Sequence, residues 1–297
     1  MRLWNGWGNE DSDLTMELSD GLRALLEALV GPGTALSQAT LNEVIDKVAN
    51  TRLHDHPLKK TDPETRVRHA RGQSLPDWLE MHSGNVDTFP DGVAFPESSD
   101  QVRDLLVHAK ENNLIVIPYG GGTSVVGHIN PETSEKPVLT IDMGKMNSLL
   151  SIDTESQLAT FGAGTPGPVV EEELKKHGYT LGHFPQSWEL STLGGWVASR
   201  SSGQQSLHYG RIENMFAGGT IETLNGTMTI PTIPASSAGP DVREMILGSE
   251  GRMGIITEVT VRITHLPEKE KFQVIFFPSW EIGISAAREV IQQRVAL

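Results

Sequence analysis

Gly120, Gly121 and Gly122 stand in a row just past a short apolar run over 114–117, and Thr123 and Ser124 follow at once. A run this short that ends in glycines reads as a buried strand. Its exit can then turn through backbone conformations closed to residues that carry a Cβ. A bare turn is costly to order, because each residue gives up backbone freedom and no side chain anchors it. Three successive glycines also let several N–H groups converge on one point, and the two hydroxyls add donors, which is the chemistry of an anion cradle. A pyrophosphate is the expected guest at Pro118 to Ser124; a flexible surface loop is the plain alternative. The turn has no lysine where a Walker loop carries one, which argues against ATP.

Two more glycine turns compete with it. Gly162-Ala163-Gly164-Thr165-Pro166-Gly167 is a literal GxGxxG between a strand predicted over 157–161 and a helix predicted over 168–177, the setting of a dinucleotide fingerprint. That fingerprint also needs a second core strand ending in Asp or Glu about 20 residues on, and 179–188 is broken by glycine and proline before Glu189. A tight strand-to-helix turn is therefore expected there, with NAD binding as the rival. The third cluster runs from Gly248 to Gly254 and leads into 254–263, where Val259, Val261 and Ile263 share one face as in a half-buried antiparallel strand.

Along the chain, residues 1–89 read as a helical N-terminal arm. Leu22, Leu25, Leu26 and Leu29 follow the cap candidate Ser19, and Leu41, Val44, Ile45 and Val48 follow Ser37 or Thr40, which predicts two packing helices. The basic, proline-containing stretch 54–77, with Arg66, Arg68 and Arg71, reads as a connecting arm outside the core. From Pro90 short strands alternate with helices. Ser98 or Ser99 caps a helix with Val102, Leu105, Leu106 and Ala109 on its apolar face, 138–141 is a second buried strand, and Asn225-Gly226 marks a hairpin between 221–224 and 228–230. Past Pro267 a strand over 272–277 and a helix from Ser285 are expected. The fold class is α+β: a small parallel β subdomain and a larger antiparallel one, flanked by helices. The expected division is 1–89 arm, 90–267 main domain and 268–297 start of a further domain.

The formal charge of −14 makes phosphate backbones and anionic lipid poor partners, so nucleic acid and stable membrane insertion are not expected. With no cysteine there are no disulfides, thiolate nucleophiles or cysteine-held metals. The start of the chain has no apolar h-region, and a cytoplasmic location is the default expectation. His54-Asp55-His56 reads as solvated surface and no metal is expected. Glu171 to Glu173 suit the positive end of a helix, Trp4, Trp7 and Trp196 read as packing anchors, and His128 reads as a loop histidine.

Four ordered strings, WNGWG (4–8), PYGGGTSV (118–125), PQSWELSTLGGWVASRSSG (185–203) and AGPDVREMILGSEGRMGIITE (238–258), together resemble the FAD-binding domain of the vanillyl-alcohol-oxidase (PCMH-type) superfamily, on the side of the alkyldihydroxyacetonephosphate synthases and bacterial FAD-linked oxidases. The resemblance implies FAD, with Pro118, Tyr119, Gly120, Gly121, Gly122, Thr123 and Ser124 at its pyrophosphate. It implies that Pro185, Gln186, Ser187, Ser191, Thr192, Gly194, Gly195, Ala198, Ser199, Arg200 and Ser201 line the flavin, and that Glu250, Gly251, Gly254, Ile255 and Ile256 hold the adenine side. Arg200 is the polar candidate nearest the flavin, with a structural salt bridge as its alternative. Members with covalent flavin carry a histidine where this chain has Thr123, so the FAD is expected to be non-covalent. The implied activity exchanges an acyl for an alkoxy group through a flavin adduct. A hydroxyacid oxidase or dehydrogenase and a non-catalytic flavin-binding fragment are the alternatives. A small-molecule substrate of lipid-phosphate type and a homodimer are the expected partners. The resemblance also implies a cap domain and a catalytic C-terminal stretch beyond Leu297, so no catalytic residue is assigned, and Ala235 stands near an arginine of the animal synthases, which weakens transfer of their substrate preference.

Overall fold

In the computed structural model the described residues are 2–10, 18–34, 36–234 and 237–293. Ala235, and the last residues of the helix expected to end the chain, lie outside them. Four strands form the smaller sheet: β1 (Lys59–Lys60), β2 (Gly92–Ala94), β3 (Ile115–Tyr119) and β4 (Val138–Asp142), in the order β1-β2-β4-β3. β2 and β3 run parallel to β4, while β1 is antiparallel to β2, so the sheet is mixed. A parallel neighbour needs a crossover, and helix Ser99–Glu111 supplies it between β2 and β3. Ser98 caps that helix through Gln101 N at 3.3 Å, and its buried face is the predicted set Val102, Leu105, Leu106 and Ala109, packed with Leu139 and Ile141.

The larger sheet is antiparallel throughout and takes β5 (Leu149–Asp153), β6 (Leu158–Gly162), β8 (Phe216–Thr223), β9 (Gly226–Ile230) and β10 (Ile255–Arg262) in the order β5-β6-β10-β8-β9. Between β6 and β8 comes β7 (Tyr179–Thr180), which pairs with β11 (Thr264–His265). Phe161, Phe216, Ile221 and Val259 face helices Gly167–Lys176 and Leu193–Ser199 in the principal core, each such side chain contributing about 1.5–3 kcal/mol by leaving water. Arg103 of the crossover helix forks onto the buried carboxylate of Glu222 in β8, at 3.1 and 3.0 Å, and ties the two sheets together.

Four expectations need correction. The stretch 54–77 is part of the core, because Arg66 and Arg71 are buried and satisfy backbone carbonyls: Arg66 those of Ala49 and Pro90, Arg71 those of Ala70 and Thr88. Guanidinium groups with fixed acceptors can be buried where free charges cannot. β1, from this stretch, pairs with β2, so strand pairing crosses the 89/90 boundary. Helix Asp20–Val30 forms with Ser19 as its cap but buries none of its residues. Residues 272–277 form no strand: Phe272 and Phe276 are 87% and 90% exposed, and an apolar run without a strand partner leaves its backbone groups unpaired.

Candidate functional site

The three glycine turns meet at one place, and the contacts a Cβ would make explain how. A methyl on Gly120 would strike the Thr192 hydroxyl, one on Gly121 the Leu190 carbonyl, and one on Gly251 would reach Pro118 Cγ at 2.8 Å. Gly122 takes a left-handed φ of 63° against the Tyr119 ring. The turn after Gly248 is bonded to helix Leu193–Ser199 by Gly248 N to Val197 O at 3.1 Å and Glu250 N to Ala198 O at 2.9 Å. Segments 118–124, 187–201 and 250–256 thereby enclose a cavity of about 350 Å³. It lies beyond the C-terminal ends of parallel strands β3 and β4, where open α/β sheets take ligands.

Within this cavity the structure brings together all of Pro118 to Ser124, then Ser187, Ser191, Thr192, Gly194, Gly195, Ala198, Ser199 and Ser201, and finally Glu250, Gly251, Gly254, Ile255 and Ile256. Pro185, Gln186 and Arg200 are not in its lining. Arg200 ends its helix in a left-handed conformation, φ 54°, and its guanidinium binds Glu244 at 2.7 Å and Glu213 at 3.5 Å. The salt-bridge alternative therefore describes it.

The loop is polar in a particular way. The N–H groups of Gly120 to Ser124 donate to no acceptor among the described residues. In the GxGxxG turn the opposite holds: Ala163 N goes to Thr257 O, Gly164 N to Met146 O, Thr165 N to Gly162 O and Gly167 N to Ser191 O, all at 2.9–3.3 Å. Its glycines admit backbone, since a Cβ on Gly162 or Gly164 would strike the carbonyls of Met146 or Met143. That turn is a packing device, and its contribution to the cavity is Ala163.

Thr192 is 5% exposed and its hydroxyl oxygen has no hydrogen-bond partner among the described residues, an uncommon condition for a buried polar atom. It caps helix Leu193–Ser199 without a side-chain hydrogen bond to that helix. Among the described residues no lysine or arginine lines the cavity. Arg2 stands behind the loop and donates to the Gly121 carbonyl, and burial pushes the Tyr119 phenol up to about 12, so it stays protonated.

Several lining residues carried no local signal. His128 is more than a loop histidine: it lines the cavity, with Nδ1 3.3 Å from Ser124 Oγ and 3.8 Å from Glu250 Oε1. Trp196 is the packing anchor expected, yet it also reaches the cavity and donates to Ser191 Oγ at 2.7 Å. Met143 arrives from the 3-10 turn that follows β4, and Ile129 from the loop before that strand. Glu171 is buried and accepts from Thr180 Oγ1, Leu181 N and Gly182 N, which corrects its reading as an acid that begins a helix, since the helix starts at Gly167.

Residues 90–230 match the FAD binding domain family. The chain is 38% identical over 229 residues to alkyldihydroxyacetonephosphate synthase of Trypanosoma brucei brucei, covering 76% of this chain and 37% of that protein. It is 37% identical over 261 residues to the FAD-linked oxidoreductase YgcU of Escherichia coli (strain K12), covering 86% and 52%. A solved alkyldihydroxyacetonephosphate synthase superposes with a TM-score of 0.85 at 30% identity, covering 98% of this chain and 58% of that one. The chain spans about half the length, or less, of the relatives it matches.

Proposed function

Residues 90–230 form an FAD-binding domain of the PCMH type, in a chain related to alkyldihydroxyacetonephosphate synthase, and from that premise we propose that the chain is the cofactor-holding part of a flavoenzyme exchanging an acyl for an alkoxy group on a lipid phosphate. The observation that carries the reading is the superposition with a synthase structure over 98% of the chain.

The cavity fits FAD on three grounds. Among the described residues the backbone N–H groups of loop 120–124 have no internal acceptor and the Thr192 hydroxyl has no partner, while the packing of Gly120 and Gly121 on 190–192 excludes side chains from the cradle. In this reading the pyrophosphate is held by the N–H groups of Gly120 to Ser124 and by the hydroxyls of Thr123 and Ser124. Segments 187–201 and 250–256 enclose the rest of the cofactor and keep water from it. With Thr123 at the position of the linking histidine, FAD is held without a covalent bond. When bound, the flavin ring supplies the electron sink for the reaction; the chain supplies orientation and hydrogen bonds.

A hydroxyacid oxidase or dehydrogenase is the second reading, favoured by the 30% identity over 223 residues to D-lactate dehydrogenase (cytochrome) 1 of Saccharomyces cerevisiae. The assay extends the chain with the C-terminal part that its longer relatives carry and compares exchange on acyl-dihydroxyacetone phosphate plus a long-chain alcohol with oxidation of 2-hydroxyacids in the presence of an electron acceptor, while flavin absorbance of the purified chain reports loading. Exchange supports the synthase reading and hydroxyacid turnover alone replaces it. A flavin-loaded chain inert in both marks a binding module.

A further inference from the structure

Two buried rings stand behind the cavity wall that carries Ser191, Thr192 and Ser201. Trp196 is 2% exposed and donates from Nε1 to Ser191 Oγ at 2.7 Å. His183 is 1% exposed, meets the Trp196 ring edge-on with centroids 5.0 Å apart, and sets Nε2 2.7 Å from Ser201 Oγ. Both serines line the cavity.

An indole N–H can only donate, so Ser191 Oγ acts there as acceptor and keeps its own proton for another partner. For His183 the second nitrogen decides the tautomer. Nδ1 is buried with no hydrogen-bond partner among the described residues, and burial pulls the ring from 6.5 down to about 4, so near neutral pH it carries one proton. Were that proton on Nδ1, an N–H would be orphaned in the interior; on Nε2 it reaches an acceptor and only a lone pair goes unused. Orphaned buried N–H groups are the rarer of the two. The proton therefore sits on Nε2 and goes to Ser201 Oγ, and the Ser201 hydroxyl proton is also free. Neither serine hydroxyl donates to another acceptor among the described residues.

We propose that His183 and Trp196 are positioning residues that set the polarity of the wall: each donates a ring N–H to a serine oxygen and so turns that serine's O–H inward, as a donor to acceptor atoms of bound FAD. With the unpaired Thr192 hydroxyl between them, the wall presents donors and no cation, which suits an acceptor-rich cofactor in a chain of net charge −14. The proposal rests on FAD occupying this cavity.

The test titrates FAD into the full chain, following flavin fluorescence for affinity and the absorbance band of the bound flavin for its surroundings. His183→Phe and Trp196→Phe keep a ring and remove the N–H; His183→Gln restores a side-chain donor. One lost neutral hydrogen bond predicts an affinity drop of about three- to tenfold with a shifted band for His183→Phe, Trp196→Phe and Ser201→Ala. Recovery toward the unaltered chain is expected for His183→Gln, and the His183→Phe/Ser201→Ala pair should bind no more weakly than Ser201→Ala alone. Unchanged affinity and spectrum in His183→Phe, a His183→Gln no better than His183→Phe, or losses that add in the double variant would each overturn it. Ser201→Ala keeps the test decisive if a ring variant fails to fold, since a Ser201→Ala chain with unchanged affinity and band refutes the proposal. An unaltered chain that takes up no FAD overturns this proposal together with the reading beneath it; normal uptake with an indifferent Ser201→Ala overturns this proposal alone.

Discussion

Gly121 is held to glycine by packing as much as by any ligand. The sequence alone suggests that bulk there would block the approach of a phosphate, but a Cβ would first strike the Leu190 carbonyl, and overpacking against backbone costs about 1–3 kcal/mol. Gly121→Val is therefore expected to lower the melting temperature of the FAD-free chain as well as its retention of FAD. A variant with unchanged apo melting would restore the simpler explanation. His183 gives the residue scale its pH dependence. Its pKa is about 4 in the folded chain against an ordinary 6.5, because burial disfavours the charged ring. Between those values the unfolded chain binds a proton that the folded one refuses, so the contribution of neutral His183 is complete above pH 6.5 and fades as pH falls toward 4. The full difference is worth about 3 kcal/mol. Thermal melts at pH 7 and pH 4.5 should show a smaller acid loss for His183→Gln than for the unaltered chain; equal losses would assign the acid sensitivity elsewhere.

Among the elements, helix Gly167–Lys176 does two jobs. Its apolar residues Val170 and Leu174 pack in the principal core, while Glu171 reaches across to hold 180–182 through three donors. That segment runs directly into His183, so a buried carboxylate fixes the approach of the ring that faces Ser201. Glu171→Leu keeps much of the bulk but leaves the N–H groups of Leu181 and Gly182 without their acceptor, and a loss of about 2 kcal/mol is expected. Hydrogen exchange at Leu181 and Gly182 should speed up more than exchange in β10. Uniform acceleration along the chain would mean that Glu171 acts only through global stability.

For the molecule as a whole, the net negative charge and a cavity with no lysine or arginine among the described residues lead to an unusual salt response. FAD is an anion approaching a chain of net charge −14, and long-range repulsion weakens as the Debye length shrinks from about 30 Å at 0.01 M to about 8 Å at 0.15 M ionic strength. The association rate is expected to rise with added salt, the reverse of a site lined by lysine and arginine. Stopped-flow flavin fluorescence at the two salt levels reads this directly, and a falling rate would place a cation in the entry path. Once bound, FAD at a hundredfold excess over its Kd should stabilise the fold by about 2.7 kcal/mol, seen as a melting temperature that climbs with FAD concentration.

Local pattern was sufficient for the elements whose periodicity or caps are written in adjacent residues: the capped helix Ser99–Glu111, the alternating strand Ile255–Arg262, the Asn225-Gly226 hairpin and the glycine exit of β3. Those are statements about which backbone conformations a short segment can adopt. Pattern could not tell the two glycine turns apart by their hydrogen bonds, because an N–H is free or consumed according to what distant chain arrives beside it. Met146 and Thr257 fill the acceptor roles for 163–164, and among the described residues nothing fills them for 120–124. For the same reason Arg66 and Arg71 read as part of a connecting arm outside the core until tertiary structure supplied carbonyls around them, and 272–277 looked like a strand because apolar residues mark a surface to be covered without saying whether a partner is there to cover it. Composition and local order determined the elements and the chemistry they could offer; packing of segments far apart in the sequence decided which of those offers face the cavity.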